Sequence, residues 1–232
     1  MTGVVHVNPS AERPALGVSG APMLLLALLL FAGGVALIPV GKQNELLGVP
    51  VILAGILMLV AGLFILLGFY AVQPNEGYAV TLFGEYKGTD RRTGLRWVLP
   101  WYSRKKISLR VRNVTSDKLK VNDKRGNPIE IAANVVWRVS DSAQALFDVD
   151  DYAAFVNIQI DTGLRDIASH YAYDHGEEHE PTLRADAELI ADRLREELDA
   201  RVRVAGMVVD EADRKSTRLN SSHTDISRMP SS

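Results

Sequence analysis

Two long apolar runs dominate the first third of the chain. Residues 21–40 and 46–70 contain no charged side chain, and each run reaches the roughly 20 residues that a helix needs to cross about 30 Å of hydrocarbon. Residues 41–45, GKQNE, separate the runs and are long enough only for a turn. The pattern therefore predicts a transmembrane helical hairpin whose flanking segments lie on the same side of the membrane.

A cleaved signal peptide is the alternative interpretation of this region. Such a peptide has a basic leader and a short apolar core, whereas the N-terminal tail, residues 1–20, has only Arg13 as a basic residue and the apolar part is long and repeated.

The orientation of the hairpin follows from the basic residues near the ends of its helices, which tend to lie on the cytoplasmic side. Arg13 lies on the side of the flanks, with Lys87 at the edge of the range that counts, and Lys42 lies at the hairpin tip. We therefore expect a multi-pass protein of the inner or plasma membrane with a cytoplasmic globular part.

Four glycines within the apolar runs allow two interpretations. They could leave room for a lipid or a cofactor, or they could let the two helices approach closely. Close packing is favoured, because packing and not hydrophobicity associates helices in lipid. The glycines concerned are Gly33, Gly34, Gly55 and Gly62.

From Tyr78 onward the pattern changes to alternation typical of strands. Residues 118–122 and 128–139 predict a β-hairpin around DKRGN, with Trp137 in its buried face. A half-buried strand is also predicted over residues 107–112. Its inward positions are Ile107, Leu109 and Val111, and its outward positions are Ser108, Arg110 and Arg112. In the hairpin, the inward positions are Ile129, Ile131, Ala133, Val135, Trp137 and Val139.

Helical periodicity follows the strands. Asp141 and Asp150 are predicted N-caps, and a second helix is predicted from about Thr182 to Gly206, before a short strand at 207–209. Strands and helices together predict an α+β domain over residues 71–212, an antiparallel sheet with packed helices. The expected buried positions are Tyr152, Phe155, Val156, Ile160, Leu164, Ile167 and Tyr171 in the first helix and Ile190, Leu194, Leu198 and Val202 in the second.

Composition excludes several functional classes. The chain has no cysteine and a formal net charge of −2, so it has no disulfides or thiolate metal sites and no strongly basic character. This bears on residues 94–113, which combine Trp and Tyr with Arg and Lys. Binding of single-stranded nucleic acid, a membrane interface and an ordinary surface strand can all use that combination. The near-neutral charge argues against nucleic acid.

One motif suggests catalysis. Within HYAYDHGEEHE, His175, Glu178 and His179 match H-x-x-E-H, in which two histidines ligate zinc and the glutamate activates water. That chemistry requires a helix, but Gly176 lies inside the motif and Pro181 follows it. A solvated acidic loop is favoured, with a membrane-bound zinc-dependent hydrolase as the alternative. No phosphate-binding loop or nucleophile elbow occurs, so no catalytic residue, metal or cofactor is assigned.

Four blocks after the apolar runs resemble one protein family. They are VQPNEGYAVTLFGEYKGT, GLRWVLPWYSRKKISLRVRN, KLKVNDKRGNPIEIAANVVWRV and ALFDVDDYAAFV, in this order. In these blocks the chain is similar to the stomatin/prohibitin/flotillin family, whose domain is called SPFH or Band 7. The resemblance implies a non-enzymatic membrane scaffold that forms homo-oligomers, organises lipid microdomains and regulates a membrane protease or channel.

The resemblance also suggests a role for the aromatic and basic stretch. In the family this block lies in the strands nearest the membrane, where aromatic rings suit the headgroup level and basic side chains suit anionic lipid. For the aromatic residues, packing in the core is an equally supported interpretation. The predicted interface residues are Trp97, Trp101, Tyr102, Arg104, Lys105 and Lys106.

Residues 213–232 differ from what the resemblance implies. The family continues into a further strand and a long charged helix that packs against neighbouring subunits, whereas DRKSTRLNSSHTDISRMPSS has no apolar period. We expect this segment to be non-native or disordered. The homo-oligomer is then expected to use the SPFH domain and a C-terminal helix that is missing here.

Overall fold

The chain folds as an α+β protein, as predicted, and it divides into two compact units. The computed structural model describes residues 10–15, 17–43, 47–174 and 181–218, with side chains as far as residue 213. This part of the chain contains five α-helices and ten β-strands. The first unit comprises the described residues up to Arg110 together with Val139–Asp150, and the second comprises Val111–Arg138 and the described residues from Asp151 onward.

Two apolar helices, α1 (Gly20–Lys42) and α2 (Gly48–Leu66), pack against each other at the start of the first unit. Both are long and apolar enough to cross a membrane. The predicted end of the second run is wrong, because α2 stops at Leu66 and residues 69–72 form a strand. Residues 69–72 pair with residues 94–97, and this pairing ends the helix. The apolar composition of residues 67–70 does not reveal such a pairing.

Six strands and a short helix complete the first unit. In chain order they are β1 (Val18–Ser19), β2 (Phe69–Val72), β3 (Glu76–Leu82), β4 (Glu85–Asp90), β5 (Gly94–Trp97), β6 (Ser103–Ser108) and α3 (Ser142–Phe147). The strands form two three-stranded sheets, with the orders β1-β5-β2 and β4-β3-β6, and their pairs are antiparallel. A buried cluster of Tyr70, Val72, Val80 and Val98 includes residues from both sheets.

The second unit has one sheet and two helices. Its elements are β7 (Arg112–Thr115), β8 (Leu119–Asn122), β9 (Pro128–Val139), α4 (Tyr152–His170), α5 (Ala187–Arg203) and β10 (Met207–Arg218). The sheet order is β10-β9-β7, and β8 also pairs with β9. The hairpin predicted around DKRGN is confirmed, and so is its alternation, because every second residue of β9 from Ile129 to Val139 is buried.

The predicted core of the two long helices is largely confirmed. All four predicted residues of α5 are buried. In α4, Tyr152 and Phe155 are only half-buried, and Tyr171 lies just after the helix as its C-cap. The predicted α4 residues that are fully buried are Val156, Ile160, Leu164 and Ile167.

The strand predicted over residues 107–112 is wrong. β6 ends before this stretch is complete, β7 begins only at Arg112, and the two strands belong to different sheets. The break changes which positions face inward, so that Val111 is 58% exposed. The Arg112 guanidinium instead lies 5.3 Å from the centre of the Trp137 ring and 5.1 Å from that of Tyr152. Alternation in sequence continues through a backbone break and therefore cannot reveal it.

Of the two predicted N-caps, one is confirmed and one is wrong. Asp141 is confirmed as the N-cap of α3, but the N-cap of α4 is Asp151 and the predicted Asp150 is wrong by one position. Either aspartate could accept the backbone N–H groups of a first turn, and only the backbone conformation selects between them. α5 begins after a turn at 183–185 and not at Thr182. β10 continues well past residue 209.

Candidate membrane-interface site

Strand β5 holds both ends of the helical hairpin. The segment that enters α1 pairs with it through Val18 and Trp97, and the segment that leaves α2 pairs with it through Phe69 and the same Trp97. Because β1 and β2 flank one strand, the chain enters and leaves the hairpin at the same end of the two helices. We call this sheet, β1-β5-β2, the collar.

The facing sides of α1 and α2 are built from small residues spaced seven apart. A strict seven-residue repeat keeps one stripe of each helix in contact with its neighbour, and small side chains let the backbones approach. Of this stripe, the sequence analysis identified Gly34, Gly55 and Gly62 but missed the others, although their spacing was visible. The residues of this stripe are Ala27, Gly34 and Gly41 in α1 and Gly48, Gly55 and Gly62 in α2, whereas Gly20 at the start of α1 packs against Leu95 of β5.

The two adjacent glycines of α1 have different surroundings. A Cβ atom at Gly34 would lie 2.8 Å from the carbonyl oxygen of Gly55, and one at Gly55 would lie 2.9 Å from the carbonyl oxygen of Gly34. A Cβ atom at Gly33 would meet only the side chain of Met58, with its terminal methyl at 2.8 Å. Gly34 and Gly55 therefore mark the close backbone contact, while Gly33 lies at its edge against a flexible side chain.

Side chains near the collar close the C-terminal end of α2. The Trp97 indole N–H donates to the carbonyl of Ile65 at 2.8 Å. The Arg104 guanidinium donates at 3.2–3.4 Å to the carbonyls of Leu67, Gly68 and Phe69. The last carbonyls of a helix lack partners within the helix, and a cation beside them interacts favourably with the helix dipole. Two of the predicted interface residues thus bind the end of the apolar helix.

The three predicted aromatic residues lie in different environments. Trp101 is 52% exposed, and its ring centre lies 5.6 Å from that of Phe64 in the last turns of α2. Trp97 is half-buried. Tyr102 packs against the buried cluster of Tyr70, Val72, Val80 and Val98. The structure therefore divides the set, with one ring exposed beside α2 and one packed in the core.

The three basic side chains also differ. Only Arg104 reaches the helix end. The Lys105 ammonium lies 5.5 Å from the centre of the Phe147 ring, and the Lys106 ammonium forms an ion pair of 2.8 Å with Glu76. The hydrogen bond to Glu76 raises the pKa of Lys106. Successive side chains of a strand point to opposite faces, which places Lys105 away from the other two.

Arg104→Gln is expected to lower the stability of the solubilised protein by about 1–3 kcal/mol, because the carbonyls at the helix end lose a charged donor. Lys105→Gln is the matched control and should have a smaller effect, since the Lys105 ammonium lies over the Phe147 ring and not at the end of α2. Thermal unfolding in mild detergent measures both. Equal effects would show that Arg104 acts only as a surface charge.

A buried charged network lies beside the collar. One carboxylate oxygen of Asp90 accepts hydrogen bonds from the Tyr70 hydroxyl at 2.8 Å and from Arg96 Nε at 2.7 Å. The side chains of Asp90 and Arg96 are only 3% and 8% exposed, and Arg96 also donates to the carbonyl of Gly17. Burial and the hydrogen bond to Asp90 raise the pKa of Tyr70. The network links β2, β4 and β5 to the segment that precedes α1.

The segment before α1 has a second attachment, at the start of α3. A carboxylate oxygen of Glu12 accepts hydrogen bonds from the backbone N–H and the hydroxyl of Ser142, each at 2.8 Å, and pairs with Arg91 at 2.5 Å. In return, the backbone N–H of Glu12 donates to the carboxylate of Asp141. Nothing in the sequence pattern indicated these contacts, because the residues are 79 to 130 positions apart along the chain.

The zinc motif His175, Glu178 and His179 lies outside the described residues. In the part of the chain that the structure describes, no group of three or more His, Asp or Glu side chains is arranged to hold a metal ion.

A comparison with protein families identifies the domain. A family model described as SPFH domain / Band 7 family matches residues 70–222 of the chain. The match begins inside β2, contains all six predicted interface residues and continues beyond residue 212, the predicted end of the domain. Comparison with curated proteins finds no match.

Proposed function

Because the chain belongs to the SPFH domain / Band 7 family, we propose that it is a membrane-anchored scaffold that forms homo-oligomers and organises membrane microdomains or regulates a membrane protease or channel. The match over residues 70–222 supports a scaffold of this family. The collar is the single observation that carries the anchoring, since one strand of the matched domain holds both ends of an apolar hairpin.

The outer surface of the hairpin supports its placement in lipid. Leu25 and Leu57 are 60% and 70% exposed on the two helices. In water such side chains would form a large exposed apolar surface, which soluble proteins rarely have. In hydrocarbon the same side chains are solvated, and every backbone group of a helix is hydrogen-bonded internally. The protein is thus proposed to cross the membrane twice, with both flanks of the hairpin on the side of the SPFH domain. That side is proposed to be the cytoplasm.

The end of α2 is proposed to lie at the headgroup level. Trp101 has an exposed aromatic side chain at this end, and Trp and Tyr are enriched at membrane interfaces. Lys105 and Lys106 have exposed side chains and are proposed to attract anionic lipid. Trp97 and Arg104 are proposed to position this surface through their hydrogen bonds to the end of α2. Tyr102 is proposed to position it by packing against the buried cluster.

The proposal assigns no catalysis, cofactor or nucleic acid. The alternative of a zinc-dependent hydrolase rests on the H-x-x-E-H match alone, and nothing in the described residues supports it. The domain boundaries at 71 and 212, and the non-native origin of residues 213–232, remain predictions.

Single cysteines test the anchor, because the chain has none of its own. In sealed vesicles, an impermeant maleimide is expected to label Ala11→Cys and Asn75→Cys from one side and Lys42→Cys only from the other, since the hairpin tip lies across the membrane from both flanks. All three positions are exposed. Labelling of Ala11→Cys and Asn75→Cys from opposite sides would disprove the hairpin. Chemical cross-linking in the same vesicles tests the proposed homo-oligomer. A series of cross-linked species larger than the monomer is expected.

A further inference from the structure

The turn between β3 and β4 exposes one aromatic side chain almost completely. Phe83 is 92% exposed, more than any other large apolar side chain in the described part of the chain. Its backbone has a φ of +49°, and the next residue, Gly84, has a φ of +89°. A positive φ is unfavourable for a bulky residue and natural for Gly or Asn. The turn therefore holds a large apolar residue in a conformation that does not suit it.

Packing within the chain does not account for Phe83. None of the ring contacts formed by the described residues involves it. A buried Phe would offset an unfavourable backbone conformation through its contacts, but at 92% exposure few such contacts exist. The ring is therefore available to an apolar environment outside the protein.

Strand register places this turn beside the end of α2. β3 and β6 are antiparallel, with Thr81 opposite Ser103. Phe83 follows Thr81 by two residues, and Trp101 precedes Ser103 by two residues, so both lie beyond the same end of the sheet. Trp101 in turn packs against Phe64 in α2, with their ring centres 5.6 Å apart. The opposite end of β3, after Asn75, points away from the helix.

We propose that Phe83 inserts into the boundary between headgroups and acyl chains of the phospholipid bilayer that α1 and α2 cross. The inference rests on the proposed function, because the bilayer is located by the hairpin. Aromatic and other apolar side chains at this depth lose their contact with water while the adjacent polar backbone remains near the headgroups. Phe83 and Trp101 then form two contacts with the bilayer beside the hairpin.

A lipid surface fits this turn better than a protein partner. The turn projects into open space, because a Cβ atom placed at Gly84 would meet nothing within 4 Å. Its flank carries the exposed ion pair of Lys87 and Glu85, at 2.7 Å, which suits a zwitterionic headgroup layer. A single projecting ring beside this polar flank matches a shallow insertion, whereas protein interfaces present a broader apolar centre.

A fluorescent probe attached to Glu85→Cys tests the insertion. The probe lies two residues from Phe83, so the Phe83 ring itself is unchanged. The full chain carries an environment-sensitive probe at this cysteine and is reconstituted in two sets of phosphatidylcholine vesicles, one with lipids brominated near the headgroup and one with lipids brominated near the ends of the acyl chains. Bromine is expected to quench the probe, and the quenching is expected to fall with Phe83→Ser. Leu57→Cys in the middle of α2 is the positive control, with quenching expected from bromine near the ends of the acyl chains, and Asn75→Cys at the far end of β3 is the negative control for both sets of vesicles.

The outcomes separate this inference from the proposed function. Quenching at Leu57→Cys without quenching at Glu85→Cys would leave the anchored hairpin intact and overturn the insertion. Quenching at Glu85→Cys that is unchanged by Phe83→Ser would also overturn it, because the turn would then lie near lipid without using its ring. A probe that is shielded from water but not quenched by bromine would indicate a protein contact instead. No quenching at Leu57→Cys would disprove the membrane span itself.

Discussion

Arg96→Met is expected to destabilise the first unit by about 3–5 kcal/mol, because it leaves the carboxylate of Asp90 buried without its cation. The side chains of both residues are less than one-tenth exposed. The same change removes the donor to the Gly17 carbonyl, so the segment before α1 also loses a contact. Thermal unfolding of the solubilised protein, followed by tryptophan fluorescence, measures the loss.

Two further variants establish the cause. Arg92→Met alters an exposed arginine four positions away and should change stability by no more than about 0.5 kcal/mol. Adding Asp90→Asn to Arg96→Met should recover part of the lost stability, since the amide carries no charge and still accepts the hydrogen bond of Tyr70. If the double variant is as unstable as Arg96→Met alone, lost packing of the long arginine side chain explains the effect and the unpaired charge does not.

Gly34→Ala is expected to destabilise the hairpin by about 1–3 kcal/mol, the usual cost of overfilling a packed interface. The added methyl group would lie 2.8 Å from the carbonyl oxygen of Gly55 and equally close to a side-chain carbon of Leu59. Backbone atoms cannot turn aside, so the two helices must separate. The midpoint of unfolding by sodium dodecyl sulfate measures the change.

Gly33→Ala is the matched control for the hairpin. It adds the same methyl group one position earlier, where the nearest atom is the end of the flexible Met58 side chain, and alanine also favours a helix over glycine. Its midpoint is expected to stay the same or rise. Equal losses at Gly33 and Gly34 would contradict the close contact between Gly34 and Gly55 and point to glycine flexibility in the helix.

The predicted interface shows how far a local pattern can identify a site. The block from Trp97 to Lys106 was identified by its residue types, and all six predicted residues lie in the first unit. Residue type did not distinguish Trp101, which is exposed beside α2, from Tyr102, which packs in the core. That difference depends on strands β3 and β6 and on the position of α2, which no local pattern contains.

Other parts of the site had no local signal. Asp90 and Arg96 are charged residues in short strands, and sequence alone would place them at the surface. Glu12 caps a helix about 130 positions away. Phe83 is an ordinary apolar residue in its sequence context, and its significance comes from its exposure and backbone conformation.

The sequence by itself determined the features that depend on periodicity and composition. These are the two apolar helices, the alternation of β9, the buried stripe of α5 and the α+β class, because each is repeated over many neighbouring residues. Tertiary structure alone decided where α2 ends, that β6 and β7 are separate strands, and that one strand holds both ends of the hairpin. The physical reason is that hydrogen bonds between distant strands and the pairing of buried charges depend on which segments meet, and a local pattern carries no information about its distant partner.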